Sequence, residues 1–261
     1  MNVLITGATG RMGQALAPLL HSFQLLTPNR NELNILDKGS IETYLDTHSI
    51  DAILHLAAYT NVAQAEHEQE LCYHTNVTAV RHLVKLSDVR HFVHLSTDYV
   101  FDGEKGMYTE DEPVNPKNHY SLSKALGEEA ARGHRHPLVV RTSFKTSPWP
   151  YPKAFVDQYT SADYVDTIAQ ELVKLMTHLD TARDFDVLHI GTDRKSVFEL
   201  AKRRSPDILP MHRHDAPVYI PPDVSLNTDR WISLKKEWTL VDSDGTSTSP
   251  KVNGHEQRQK V

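Results

Sequence analysis

Short unbroken apolar runs alternate along this chain with stretches in which apolar residues recur every three or four positions. The runs are Val3–Ile5, Phe23–Leu26, Ala52–Leu56, Phe92–Leu95 and Leu138–Arg141. Runs that are apolar at nearly every position, not at every second one, predict strands covered on both faces. Between them, the spacing predicts helices over about 12–20, around Ile41, Tyr44 and Leu45, over about 66–86 and over about 120–131. Strand and helix in strict alternation predict an α/β fold, a Rossmann-type doubly wound parallel sheet. Beyond Thr142 the pattern loosens. Pro148, Pro150 and Pro152 exclude a helix or central strand there. A helix over about 162–178, a strand over 187–190 and a helix over 197–203 follow, and then a proline-rich stretch from Pro206 to Pro222. The last 21 residues carry only three valines as sizeable apolar groups, too few to offset the entropy of ordering. The expected organisation is a main domain over 1–145, a small C-terminal lobe over 146–240 interleaved with the last sheet elements, and a disordered tail over 241–261.

Composition narrows the function. The 261 residues include 34 acidic and 28 basic side chains, a formal charge of −6. That excludes a nucleic-acid binder working through bulk positive charge, though not an anionic ligand held in one local site. A single cysteine, Cys72, allows no internal disulfide and fits a reducing compartment. It is expected to be a small buried hydrophobe. No apolar run approaches the roughly 18 residues of a membrane helix, and the N-terminus lacks the basic start of a signal peptide. The expectation is a cytoplasmic protein with no membrane partner.

The first strand runs into Gly7-Ala8-Thr9-Gly10-Arg11-Met12-Gly13, a G-x-x-G-x-x-G turn opening a helix. Gly7 lets the chain leave the strand sharply. Gly10 clears the backbone for a pyrophosphate, and Gly13 lets the helix pack close to the sheet. The helix N-terminus supplies free N–H groups for phosphates, so a dinucleotide is the expected ligand. The end of the second strand selects which one. An acid there would bind a ribose 2′-hydroxyl and favour NAD, whereas this chain has Thr27-Pro28-Asn29-Arg30. Arg30 suits a 2′-phosphate, so NADPH is expected, with use of NADH left open.

Tyr120 and Lys124 stand four residues apart at the start of a predicted helix, on one face. An ammonium near a phenol lowers the phenol's pKa and lets it exchange a proton near neutrality. Thr97 follows the fourth strand, at the carboxyl edge where open α/β sheets bind ligands, within reach of a carbonyl oxygen.

Together these blocks resemble the extended short-chain dehydrogenase/reductases, and within them the dTDP-4-dehydrorhamnose reductases. The resemblance rests on the glycine turn, Glu32–Asp37, Ala57–Val62, Ala65-Glu66, Ser96–Gly103, Tyr108-x-Glu110, Tyr120-x-x-x-Lys124 with Gly127-Glu128, Arg141–Ser143 and Asp157-Gln158. Sister dehydratases and epimerases usually carry an acid in place of Tyr99, so the Ser96–Gly103 block points to the reductase branch. The resemblance implies NAD(P)H-dependent reduction of a 4-keto-6-deoxy nucleotide sugar. Tyr120 would be the general acid, Lys124 would bind the nicotinamide ribose, and Thr97 would hold the carbonyl oxygen. Gly10, Arg11 and Met12 would line the pyrophosphate, and Asn34 and Ile35 would flank the adenine. Ala58, Tyr59 and Thr60 would cover the cofactor, while Asp98 and Phe144 would touch the sugar.

Several positions depart from the family's pattern. Ala63-Gln64 stands where Asp-Lys is usual, Asn34 where Asp is usual, and Phe144 where Trp is usual. Only 13 residues separate Ser143 from Asp157, so the substrate side is short. In that strap, Trp149 and Tyr151 could either stack on a nucleobase or sugar, or pack the strap onto the domain. A nucleotide-sugar epimerase or dehydratase is an alternative reading, and so is a cofactor-binding, non-catalytic regulatory subunit. The helices over about 66–86 and 120–131 could pair in a homodimer. The close pairs His134/His136 and His212/His214 lack metal-ligand spacing and read as surface or loop histidines, so no metal is expected.

Overall fold

The computed structural model describes residues 1–182, 184–216 and 219–243. The main sheet is built from β1 (Asn2–Thr6), β2 (Gln24–Leu26), β3 (Ala52–His55), β4 (His91–Thr97), β5 (Pro137–Thr142) and, late in the chain, Val187–His189. All six strands pair in parallel. Their order is β2-β1-β3-β4-β5 followed by Val187–His189, so the winding direction reverses between β1 and β3. Crevices at such a reversal hold ligands in doubly wound sheets.

The helices are α1 (Arg11–Leu16), α2 (Lys38–Thr47), α3 (Gln69–Tyr73), α4 (Ala79–Leu86), α5 (His119–Ala131), α6 (Val165–Thr177), α7 (Leu179–Ala182), α8 (Val197–Lys202) and α9 (Asp229–Ser243). They cover both faces, as the unbroken apolar runs require. Val3, Ile5, Leu54, Val93 and Val140 point to one side, against Leu16 of α1, Leu172 of α6 and Trp231 of α9. Leu4, Ile53, Phe92 and Val139 point to the other, against Ile41 of α2, Leu83 of α4 and Ala131 of α5. Successive residues thus feed two separate cores, the period of two that a strand imposes.

The remaining strands are pairs of two or three residues: β6 (Phe144–Lys145), β7 (Lys153–Phe155), β8 (Tyr159–Thr160) and β9 (Asp163–Tyr164). The main-sheet strand Val187–His189 is β10, and β11 (Lys195–Ser196) and β12 (Leu209–Met211) complete the set. Strands β7 and β12, with α8, build the small lobe around Ala154, Val197, Ala201 and Ile208.

Three elements differ from the sequence expectation for physical reasons. The helix expected over 12–20 tightens into a 3-10 turn over Ala17–Leu19, where Pro18 cannot donate. The helix expected over 66–86 is a 3-10 turn, α3, a π turn over His74–Thr78 and α4. The helix expected from residue 162 starts at Val165, because Asp163–Tyr164 pairs with Phe144–Lys145. Helix α9 has no counterpart in that expectation. Its Trp231, Leu234 and Trp238 return to the main core, and it runs through Ser243, three residues into the segment expected to be a tail. The rest of that segment, 244–261, lies outside the described residues.

Candidate active site

The glycine turn sits where the winding reverses. Gly7 has φ +74°, and a Cβ there would lie 2.6 Å from the backbone nitrogen of Ala57, just beyond β3. Only glycine permits both the conformation and the approach. A Cβ at Gly13 would meet Ala8 at 2.5 Å, so the close packing is against the turn itself and not against the sheet as expected. Gly10 caps α1 without a side chain.

From this turn opens a cavity of about 870 Å³, toward the upper end of small-molecule sites. Gly7, Gly10, Arg11, Met12 and Gly13 line it, as do Arg30, Asn34 and Ile35 after β2 and Ala58, Tyr59 and Thr60 after β3. Thr97 and Asp98 after β4, Tyr120 and Lys124 on α5, and Phe144 after β5 line the same cavity. Every residue given a catalytic, cofactor or sugar role from the sequence therefore lines this one cavity.

Tyr120 is buried and hydrogen-bonded to Thr97. Burial raises its pKa, the nearby Asp98 carboxylate adds to the rise, and only the Thr97 bond opposes it. This corrects the expectation that Lys124 lowers it. The Lys124 ammonium instead donates to the Leu95 carbonyl at 2.7 Å and meets His94 Nε2 at 3.4 Å. Burial brings Lys124 down to about 8, against the pull of Glu128. His94 sits well below the usual imidazole range and His55 is lowered to about 3, burial leading and Lys124 adding to each, so both strand histidines are neutral. Asp98 is raised to about 6 by burial, resisted by Lys145, Thr97 and Ser143.

Helix α5 is held firmly. Asn118 and Ser121 form a reciprocal capping box at its start. One turn beyond Lys124, Glu128 takes a two-pronged bond from buried Arg141 (Nε to Oε1 3.0 Å, Nη2 to Oε2 2.8 Å) and another from Ser96 at 2.6 Å. Glu128 thus ties α5 to the ends of β4 and β5.

Some residues at or behind the cavity wall carried no role in the sequence reading. Asn76, on the π turn, clasps the Tyr59 backbone from both sides (2.8 and 3.1 Å) and donates to Ser123; π turns recur at functional sites. Lys145 and Thr142 line the cavity itself. Thr142 lies in the Arg141–Ser143 block without a role of its own, and no motif marks Lys145, which the short pairing of β6 with β9 brings in. The strap divides its two aromatics. Trp149 packs into the lobe cluster, while Tyr151, 65% exposed, lines the cavity.

The residues present suit a phosphorylated dinucleotide. Among the described residues Arg30 has no ion pair or hydrogen bond, and the buried Thr142 hydroxyl on the cavity wall has no partner. With the glycine turn between β1 and β3, the cavity offers cations and free polar groups without a competing acid at the end of β2.

Residues 1–147 match the family model of the RmlD substrate binding domain. A dTDP-4-dehydrorhamnose reductase from Aggregatibacter actinomycetemcomitans is 41% identical over 201 residues, covering 74% of this chain and 60% of that protein. The match thus spans less than two thirds of that relative. A hypothetical dTDP-4-dehydrorhamnose reductase from Sulfolobus tokodaii superposes with a TM-score of 0.78 at 32% identity, covering 90% of this chain and 94% of that one. The dTDP-4-dehydrorhamnose reductase of Bacillus anthracis, solved in complex with NADP, shares the fold at a TM-score of 0.77 and 24% identity, covering 95% and 94%.

Proposed function

The chain belongs to the RmlD substrate binding domain family, and on that premise we propose that it reduces the 4-keto group of a dTDP-linked 6-deoxyhexose with NADPH, NADH being the weaker donor. The observation that carries this reading is the convergence of Thr97, Tyr120 and Lys124 on the cavity that the glycine turn opens.

In this reading Arg30 pairs with the 2′-phosphate, Asn34 and Ile35 flank the adenine, and Gly7, Gly10, Arg11, Met12 and Gly13 surround the pyrophosphate. Ala58, Tyr59 and Thr60 cover the cofactor, with Asn76 fixing Tyr59. Lys124 holds the nicotinamide ribose. When bound, the dihydronicotinamide supplies a hydride to C4 of the sugar. Thr97 holds the carbonyl oxygen, and Tyr120 gives it a proton. A phenol with a raised pKa keeps that proton at neutral pH, which suits an acid better than a base. Asp98 and Phe144 grip the sugar.

The buried, unpaired Cys72 fits a reducing cytoplasm, and no helix among the described residues is long and apolar enough to cross a membrane. A homodimer in the same reading would cover Leu71, Tyr73 and Leu122, exposed on α3 and α5.

The test is NADPH oxidation with a panel of 4-keto-6-deoxy nucleotide sugars. The reading expects one NADPH consumed per sugar reduced. An epimerase or dehydratase would convert sugars with no net consumption, and a regulatory subunit would bind NADP without turnover; either result displaces it.

A further inference from the structure

The small lobe holds a cluster of donor groups that the cavity does not use. His212 caps the 3-10 turn Arg213–Asp215 and His214 lies within it, both exposed. Asp157 comes from the loop between β7 and β8. One donor atom from each of Asp157, His212 and His214 lies within 4.8 Å of the others. The His-x-His spacing alone lacks a third ligand, and the fold supplies it from far along the chain.

The carboxylate is already oriented. Asp157 Oδ1 accepts from the Arg213 backbone N–H at 2.9 Å, and Arg213 Nε donates to the Asp157 carbonyl at 2.8 Å. Oδ2 is left facing His212 Nδ1 at 3.5 Å, with Arg213 Nε 3.8 Å away. Donors bound at ~2.1 Å to a tetrahedral ion stand roughly 3.4 Å apart, so this pair needs little movement. The two imidazole rings lie within 20° of parallel with centroids 5.3 Å apart. Two imidazoles on neighbouring vertices of such an ion would sit roughly 5 Å apart, close to the spacing this stacked pair already has. His214 Nε2 is 3.2 Å from Asp215 Oδ1, a second carboxylate able to orient that ring.

We propose that Asp157, His212 and His214 form a surface site for a divalent transition ion of zinc's class, with water completing the coordination. Imidazole and carboxylate donors suit zinc, and the same set would take cobalt or nickel. The ion would pin the His212–Asp215 turn to Asp157, which leads through Gln158 into β8. This is independent of the reductase reading, since none of the three residues lines the cavity.

The experiment is calorimetric titration of the metal-free full chain with zinc chloride, beside cobalt(II) absorption spectra. The expected result is one ion per chain with micromolar affinity, and visible cobalt bands of a tetrahedral site. The paired substitution His212→Ala with His214→Ala should weaken binding at least tenfold and remove the cobalt bands. Asp157→Asn should weaken it too. The exposed His21, changed to Ala, should alter nothing. All these positions are partly or fully exposed, and circular dichroism checks that each variant is folded. Absence of binding to the wild type at millimolar zinc would overturn the proposal. So would undiminished binding by the double variant, which would mean that other histidines hold the ion.

Discussion

Tyr120 and Lys124 share a helix face, yet their side chains answer to different surroundings. The sequence makes their spacing plain but cannot show which effect wins. Burial raises the phenol and lowers the lysine to about 8, while the ammonium turns to the Leu95 carbonyl and His94 and away from the phenol's titration. Asp98, raised to about 6, gains a proton as pH falls through that value, and Lys124 loses one as pH rises through about 8. With carboxylate Asp98 and charged Lys124 as the working forms, kcat/KM should be flat between these values and fall on both sides. Asp98→Asn should remove the acid limb; an acid limb left in place would assign it elsewhere. Arg30, lacking a partner among the described residues, tests cofactor choice. Arg30→Ala should raise the KM for NADPH about tenfold, roughly the contribution of one charge-assisted phosphate contact, and leave that for NADH unchanged. Equal effects on both would contradict its role.

Among the elements, α5 was legible because its signals are local: a capping residue, a helical period, a tyrosine and a lysine one turn apart. What anchors it was not. Glu128 meets Arg141 and Ser96 only because β5 lies beside β4, and all three side chains are buried there. Glu128→Gln leaves the Arg141 guanidinium buried without its counter-charge, and should cost about 3–5 kcal/mol of stability in urea unfolding. A loss under about 1 kcal/mol would mean that the pair adds little. The two-residue strands were illegible for a related reason. Two residues carry no period, and only their partners make them strands. Trp149 and Tyr151 show the same limit, since two aromatics in one strap end in a core for one and at the cavity for the other.

For the whole molecule, the alternation of apolar runs with helical spacing was enough to specify a doubly wound sheet, and the point where its winding reverses is where the glycine turn lies. The sequence placed most of the cavity wall through motifs after β1, β2, β3 and β4. The far wall, with Lys145 and Thr142, depends on how the chain leaves the sheet after β5 and enters β6. Shortness on the substrate side did not break the cavity, because Phe144, Lys145 and Tyr151 of the strap still line it. The central claim is that this cavity carries out carbonyl reduction with Tyr120 as the acid. The direct measurement compares wild type with Tyr120→Phe in NADPH oxidation by a dTDP-4-keto-6-deoxyhexose, with NADPH affinity measured alongside. The account predicts turnover by the wild type and a kcat lowered at least about a hundredfold in the variant with NADPH binding retained. Full turnover without the hydroxyl, or none by the wild type, would contradict it.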